Sequence, residues 1–314
     1  MSYTKEVKEF IKVRCEQTPN STQIARDVIN KFGLDKKMDA VRVFIRSFRE
    51  DEKVIAKQMP IKRLFFDIET SYHTVRMWRI GKVGWVNPNQ IIKHKEIICI
   101  SYKWQYDDKI HTLDWRMGEK KMLKEFIKVM EQAHELVGHN GDRFDIKEIR
   151  TRCINYGVMM FPNYRTLDTL KKARQYFNFA SNKLDYIGQY LNVGRKMEQE
   201  GFDLWIDVVE NKSEKALEKM IKYCEQDVIL LEDTFFVLSP FITHNNNFAV
   251  LTGGDKWDCP ECASTKVKMF RTYSTPMGVI RREMKCDNCK KQYKISNKTY
   301  MFMLEYLKKR NEAV

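Results

Sequence analysis

Short apolar runs alternate with amphipathic stretches through the middle of the chain. The runs at 62–68, 97–104 and 109–115 predict β-strands, because they are short, rich in aliphatic and aromatic residues, and bounded by polar segments. Apolar residues recur every three to four positions in 119–135, and a longer helical stretch covers about 213–238. Strands first, then alternating strands and helices, indicate an α/β domain with a mixed sheet flanked by helices.

The N-terminal part of the chain shows only helical periodicity. The pattern predicts a helix at 5–15 and two more within 18–51, separated by a break at Gly33. Arg42 and Arg46 interleave with the apolar positions of the last helix. A helix, a short glycine turn and a basic helix are typical of a helix-turn-helix that contacts nucleic acid, and equally of any small helical domain.

Four of the eight cysteines form two C-x₂-C pairs near the C-terminus. They are Cys259 and Cys262 in "CPEC" and Cys286 and Cys289 in "CDNC", with 23 residues between the pairs. Four thiolates at this spacing predict one tetrahedral, structural Zn²⁺. The segment between the pairs can form a hairpin, so the region resembles a zinc ribbon. Two redox-active pairs are the alternative, but these would need a βαβ context that the sequence does not show.

Basic residues are unevenly distributed along the chain. The net charge is +14, and residues 254–314 carry 14 basic and 7 acidic side chains. This excess predicts a nucleic-acid partner, with Arg281 and Arg282 of the ribbon among the contacts. A ribbon that docks onto a protein is the alternative. No apolar run approaches the ~20 residues of a membrane span, and the charged N-terminus does not resemble a signal peptide. We therefore expect a soluble, cytoplasmic protein that is neither secreted nor membrane-bound.

Two acids end the first predicted strand, in "RLFFDIET". Asp67 and Glu69 are two residues apart, so both side chains project from the same face of the strand. Adjacent carboxylates repel each other, and a divalent cation between them removes that repulsion. Hard oxygen ligands suit Mg²⁺ or Mn²⁺. A solvated strand end with two ordinary acids is the alternative.

Two further motifs follow along the chain. In "GHNGDRFD", a strand ends at Asn140 and a helix opens near Asp145. In "YCEQD", Tyr223 and Asp227 are four residues apart and share one face of the long helix. Taken alone, Asp145 could be a favourable partner of a helix dipole. Tyr223 and Asp227 could likewise be a core tyrosine and a surface acid.

Together the three features carry a resemblance. A "DIET" strand, an "HN…FD" strand-to-helix step and a late "YxxxD" helix, in this order, resemble the three exonuclease motifs of DnaQ-like 3′–5′ exonucleases. The tyrosine resembles the DEDDy subgroup, which includes the exonuclease domains of family B DNA polymerases, since the sister DEDDh subgroup has a histidine where this chain has Lys222. The stretches "LDTL" and "SNKLDYIGQYLNVGRK" resemble the corresponding segments of phage-like members of this exonuclease family. The resemblance covers about 61–240 and implies a ribonuclease H-like fold.

The resemblance also implies roles for the site residues. Asp67, Glu69 and Asp227 would hold one Mg²⁺ or Mn²⁺ ion, Asp67 would bridge to a second ion, and Asp145 would act directly or through water. Tyr223 would orient the attacking water. We expect additional contacts with nucleic acid from Asn140, and from the aromatic and basic side chains of the loop 70–90. These loop residues are Trp78, Arg79 and Trp85.

The sequence thus predicts a metal-dependent 3′–5′ exonuclease that acts on single-stranded DNA or on 3′ ends. An exoribonuclease and an inactive nucleic-acid-binding adaptor remain as alternatives. By resemblance, the protein would work in a prokaryotic cell or a phage-infected nucleoid, beside replication or repair proteins on separate chains. The predicted domains are a helical domain at 1–58, the exonuclease domain at 61–240, the zinc ribbon at 254–297 and a C-terminal helix at 298–314.

Overall fold

The chain divides into two compact units in the computed structural model. One spans 62–243, and the other combines 1–61 with 244–314. No helix among the described residues is long and apolar enough to cross a membrane. The structure describes residues 3–17, 21–34, 40–41, 44–45, 61–78, 81, 85–105, 107–197, 201–244 and 246–311.

Two helices begin the chain, as their apolar spacing predicts. Helix α1 covers Lys5–Gln17 and helix α2 covers Ser21–Phe32. They pack through fully buried side chains such as Ile11 and Ile24. Most of the third predicted helix, including Arg42 and Arg46, lies outside the described residues, so the helix-turn-helix stays a prediction.

A five-stranded mixed sheet forms the centre of the 62–243 unit, which confirms the predicted fold class. The strand order is β5-β4-β1-β6-β7, with β1 antiparallel to β4 and parallel to β6. The strands of this unit are β1 Arg63–Thr70, β2 Thr74–Val75, β3 Ile91–Lys93, β4 Ile97–Trp104, β5 Ile110–Asp114, β6 Glu135–Gly138 and β7 Thr166–Asp168. The helices are α3 Glu119–Met130, α4 Asp145–Tyr156, α5 Thr169–Tyr176, α6 Leu184–Tyr190, α7 Asp203–Val209 and α8 Glu214–Leu238.

The central strand β1 buries a different set of side chains on each face. Leu64, Phe66 and Ile68 join the cluster that includes residues of α3 and α4. Phe65 points the other way and packs against α8, with its ring centroid 5.3 Å from that of Phe235. Because side chains alternate along a strand, the odd-numbered positions that follow Phe65 also face α8. The sequence of β1 therefore directs its two acids towards the long helix.

The C-terminal part contains a short helix, α9 Phe248–Leu251, and a three-stranded sheet of order β10-β9-β8. Its strands are β8 Val267–Ser274, β9 Ile280–Cys286 and β10 Gln292–Ser296. Helix α10, Asn297–Asn311, packs on one face of this sheet through Met303, which contacts Met284 and Ile295. The predicted hairpin between the cysteine pairs is present, and β10 adds a third strand to it.

Candidate active site

Three carboxylates meet between β1 and α8. Asp67 and Glu69 project from β1, and Asp227 from α8, and each offers an oxygen within 4.8 Å of the other two. The end of β1 is fixed by Trp205 of α7, whose ring N–H donates to the carbonyl oxygen of Thr70 at 3.0 Å. The structure therefore brings together two acids adjacent in sequence and a third about 160 residues away.

Asp145 opens helix α4 and is 4% exposed. Its carboxylate is close enough to Asp67 to raise the pKa of that residue. One oxygen of Asp145 and one oxygen of Asp227 are buried without a hydrogen-bond partner among the described residues. Buried oxygens normally have a partner, so these two are oriented for a ligand.

The carboxylates of the cluster raise one another's pKa values, in addition to the effect of burial. Burial raises the pKa of Glu69 to about 8 and the pKa of Asp145 to about 7. Burial also raises the pKa of Asp67 well above its usual range, and the carboxylates of Asp145, Glu69 and Asp227 raise it further. Such a cluster is unfavourable when all its members are ionised, unless a cation neutralises it. A set of hard carboxylate oxygens fits Mg²⁺ or Mn²⁺.

Lys196 and Tyr223 lie beside this cluster. The Lys196 ammonium donates to Asp227 Oδ2 at 2.5 Å and to the Tyr223 hydroxyl at 3.2 Å. It also lies 5.3 Å from the centre of the Tyr223 ring. Lys196 ends the segment "SNKLDYIGQYLNVGRK", and no pattern in the sequence predicted a role for it. The structure shows that it holds both the third acid and the tyrosine.

Replacing Lys196 tests this positioning role. We expect Lys196→Met to lower hydrolysis of nucleic acid about 10- to 100-fold, the usual cost of losing a residue that orients a metal ligand. Lys196→Arg keeps the charge and should recover part of the rate. The measurement is the initial rate as a function of Mg²⁺ concentration. A methionine variant with the wild-type rate and the wild-type Mg²⁺ requirement would contradict the role.

A hydrogen-bond network fixes the loop between β6 and α4. Asn140 has a left-handed backbone, with φ of 70°, and its N–H donates to Asp168 Oδ1 at 3.0 Å. Asp168 also caps α5 by accepting from the N–H of Leu170 at 3.0 Å. The ring of His139 lies between Thr169 Oγ1 and the carbonyl oxygen of Asn182, and burial lowers its pKa to about 4. Neutral His139 therefore supports the loop that leads to Asp145.

An open cleft of about 940 Å³ lies over the acids. Asp67, Asn140, Tyr223 and Asp227 line it. Several cations that the sequence analysis did not single out also line it: Arg143, Arg174, Lys183, Arg195 and Lys196. A phosphodiester is anionic, so the five cations can bind its phosphate. Its cleavage is assisted by metal ions, which the neighbouring carboxylates are suited to hold.

Of the other predicted nucleic-acid contacts, the two tryptophans that the structure describes do not line this cleft. The Trp78 and Trp85 side chains are 97% and 72% exposed, and neither belongs to the described lining of the cleft. Arg79 lies outside the described residues. Arg281 and Arg282 belong to the other unit.

The four grouped cysteines converge, as their spacing predicts. The sulfur atoms of Cys259 and Cys289 are 3.5 Å apart, and those of Cys262 and Cys286 are 3.7 Å apart. All four sulfurs lie within 4.8 Å of one another. Four sulfurs placed tetrahedrally at ~2.3 Å around Zn²⁺ would be about 3.8 Å apart. The tetrad therefore fits a closed Zn²⁺ site.

The fold and the acid cluster define a ribonuclease H-like domain. The profile of the family described as the RNase_H superfamily matches residues 64–235, which is more than half of the chain. The chain therefore belongs to the ribonuclease H superfamily, and nucleic acid is the substrate that this family of nucleases implies.

Individual proteins resemble parts of the chain. A DNA polymerase of Thermococcus hydrothermalis is 28% identical over 100 residues, which are 31% of this chain and 6% of that polymerase. The family B DNA polymerase of the archaeon Pyrobaculum calidifontis is 14% identical, with a TM-score of 0.45, over 62% of this chain and 26% of that one. The RNase D of Trypanosoma brucei is 12% identical, with a TM-score of 0.39, over 64% of this chain and 65% of that one. The chain thus spans a small fraction of the length of either polymerase.

Proposed function

We propose that this protein is a metal-dependent 3′–5′ exonuclease that removes nucleotides from the 3′ ends of single-stranded DNA. The observation that carries the proposal is the meeting of Asp67, Glu69 and Asp227 within 4.8 Å, beside a cleft lined by cations. The order of these acids along the chain, with Asp145 and Tyr223 between them, supports exonuclease chemistry over other activities of the superfamily.

The acids would hold two Mg²⁺ or Mn²⁺ ions. Asp67, Glu69 and Asp227 form the first ligand set, and Asp67 with Asp145 completes the second. When bound, such ions make a coordinated water more acidic and stabilise the oxygen that leaves the phosphorus.

The remaining site residues position the strand and the water. The cations of the cleft attract the phosphate backbone, since each charge contact with a phosphate adds affinity by releasing counterions. Tyr223 presents its hydroxyl beside Asp227, where it can orient the attacking water. Lys196 restrains that hydroxyl and the Asp227 carboxylate at the same time. Asn140, in the loop after β6, would contact the 3′ nucleotide.

Protons and metal compete for the same carboxylates, so the metal requirement should depend on pH. The folded protein has raised pKa values of about 8 for Glu69 and about 7 for Asp145. Metal binding must release these protons. Below these values, we expect the Mg²⁺ concentration for half-maximal rate to fall with rising pH, by up to about tenfold per pH unit for each proton that metal binding releases. Mg²⁺ titrations of the initial rate measure this directly, and a requirement that is independent of pH would contradict it.

The polarity and the sugar preference are tested with one pair of substrates. DNA and RNA oligonucleotides of the same sequence, each labelled at the 5′ end, are incubated with the protein and Mg²⁺. We expect a ladder of 5′-labelled products that become shorter from the 3′ end, and we expect DNA to be degraded faster than RNA. Faster degradation of RNA would favour an exoribonuclease. Internal cuts, or no degradation of either strand with Mg²⁺ or Mn²⁺, would contradict the exonuclease.

The cysteine tetrad adds a proposed structural site outside the catalytic unit. Cys259, Cys262, Cys286 and Cys289 would hold one Zn²⁺, and a site closed by four thiolates leaves no position for a substrate. The division into a helical domain, an exonuclease domain, a zinc ribbon and a terminal helix is part of the same proposal.

A further inference from the structure

One face of the C-terminal sheet is covered by helix α10, and the opposite face, which we call the outer face, is strongly basic. The pairing register of β8, β9 and β10 decides which side chains share the outer face, because residues directly opposite each other point to the same side. The outer face carries one aromatic and five cationic side chains: Tyr273, Lys268, Arg271, Arg281, Lys285 and Lys294.

The register separates two arginines that are adjacent in sequence. Arg282 belongs to the covered face, where its Nε donates to Asn297 Oδ1 at 2.9 Å and its guanidinium lies 5.0 Å from the Tyr300 ring centre. Its Nη1 also donates to Thr272 Oγ1 at 2.6 Å. Arg281 is exposed on the outer face, opposite Tyr273. Arg282 therefore stabilises the packing of the ribbon, and Arg281 remains available for a ligand.

The outer face is only partly neutralised. Its one acid, Glu283, has a side chain that is 8% exposed and pairs with Arg271 at 2.5 Å and with Lys294 at 3.5 Å. Five cations and this one carboxylate leave a net charge of +4. Beside the face, Asp287 pairs with Lys268 at 2.9 Å. Neither Arg281 nor Lys285 forms an ion pair among the described residues.

Aromatic side chains accompany these charges. The Lys294 ammonium lies 4.7 Å from the centre of the Tyr273 ring. At an irregularity in β8, Phe270 is 44% exposed. Partly exposed rings among cations form a surface on which unpaired bases stack while the cations follow the phosphates. A duplex keeps its bases paired and covered, so it would gain nothing from these rings.

We propose that the outer face binds single-stranded nucleic acid through the phosphodiester backbone, with Tyr273 as a stacking platform. Successive side chains on one face of a strand are about 6.6–6.8 Å apart, a spacing that an extended phosphodiester backbone can match. This contact lies outside the catalytic unit. It goes beyond the proposed function and does not depend on whether the acid cluster cleaves the strand.

The test replaces Arg281 and Lys285, the two outer-face cations that form no ion pair among the described residues. Arg281→Gln/Lys285→Gln is compared with Lys308→Gln/Lys309→Gln, which removes the same charge from the exposed side of α10 in the same unit. Both pairs are made in an Asp67→Ala/Glu69→Ala background without added divalent metal, so no cleavage interferes. Binding of labelled single-stranded DNA and RNA is measured by fluorescence anisotropy over a range of salt concentrations.

Two lost phosphate contacts should lower the slope of log K against log salt by about 1.4, since each contact with a single strand contributes about 0.7. Near 0.1 M salt, this corresponds to a loss of affinity of at least about tenfold. We expect the α10 pair to keep the wild-type slope. The proposal would be overturned if the slope of log K against log salt were the same in the two double variants and in the protein without them. It would also be overturned if both double variants lost the same affinity.

The outcomes separate this proposal from the proposed function. A similar loss on DNA and RNA assigns the contact to the shared backbone, and a loss on one of them alone identifies the strand that the outer face selects. The zinc content and the melting temperature of each variant show whether the ribbon is intact, and the single variants Arg281→Gln and Lys285→Gln replace the pair if it does not fold. Failure of the wild-type protein to degrade DNA would leave the binding result in place.

Discussion

Replacing Glu69 with glutamine is expected to remove hydrolysis while leaving the metal-free protein at least as stable as the wild type. Glu69 belongs to the set of three carboxylates within 4.8 Å that we propose as metal ligands, so its replacement should weaken metal binding. Metal ions contribute several kcal/mol to the stabilisation of the transition state. A loss of ~4 kcal/mol corresponds to a rate lower by on the order of 10³-fold.

The expected effect on stability has the opposite sign from that of most buried substitutions. Burial raises the pKa of Glu69 to about 8 in the folded protein, above its ordinary value. A raised carboxyl pKa means that the stability of the metal-free protein is greatest at low pH and falls as the pH rises through about 8. Glutamine cannot ionise, so the variant should lose less stability over this range.

Melting curves at several pH values and initial rates at saturating Mg²⁺ measure the two effects. Glu125→Gln is the matched control, because it removes one carboxylate from the exposed side of α3, where Glu125 pairs with Lys128. This control should retain the wild-type rate and the wild-type pH profile. If Glu69→Gln retained the wild-type rate, Glu69 would not be a metal ligand.

Replacing Cys286 with serine is the second change with a large expected effect. The zinc content should fall from one ion per chain to none, because a serine hydroxyl cannot supply the fourth thiolate of a tetrahedral site. Structural zinc in small modules contributes about 10–16 kcal/mol of binding free energy, and this energy is coupled to folding. The small clusters around Met284 and Ile295 leave little apolar core to replace that contribution.

Elemental analysis and protease sensitivity of the segment 254–311 measure the loss. Ser274→Ala, at the end of β8, is a control that changes the same hairpin without touching a ligand. We expect the 62–243 unit to remain folded in the cysteine variant, since its core has its own helices and strands. A wild-type protein that carries no zinc after purification would contradict the assignment of the tetrad.

The parts of the site that follow local periodicity were predictable from sequence. Alternation in β1 places Asp67 and Glu69 on the face opposite Phe66, and helical spacing places Tyr223 and Asp227 together. The meeting of β1 with α8 depends on tertiary packing that no local pattern contains. The meeting of these two elements was predictable only because the order of the motifs along the chain resembles that of known exonucleases.

Side chains outside regular patterns were not predictable. Lys196 lies in an irregular stretch after Gly194, where no periodicity shows which way a side chain points. Arg281 and Arg282 looked equivalent in the sequence. Only the register of β9 with its neighbours, and the side on which α10 packs, place them on opposite faces. Trp78 and Trp85 were predicted contacts that the described cleft does not include.

The proposed function requires the acid cluster to make this protein a metal-dependent nuclease of 3′ ends. The most direct measurement follows a 5′-labelled single-stranded DNA over time with the wild type and with Asp67→Asn/Glu69→Gln, each with and without Mg²⁺. We expect stepwise shortening from the 3′ end by the wild type, and only when Mg²⁺ is present. Equal shortening by the double variant, or shortening that needs no metal, would contradict it.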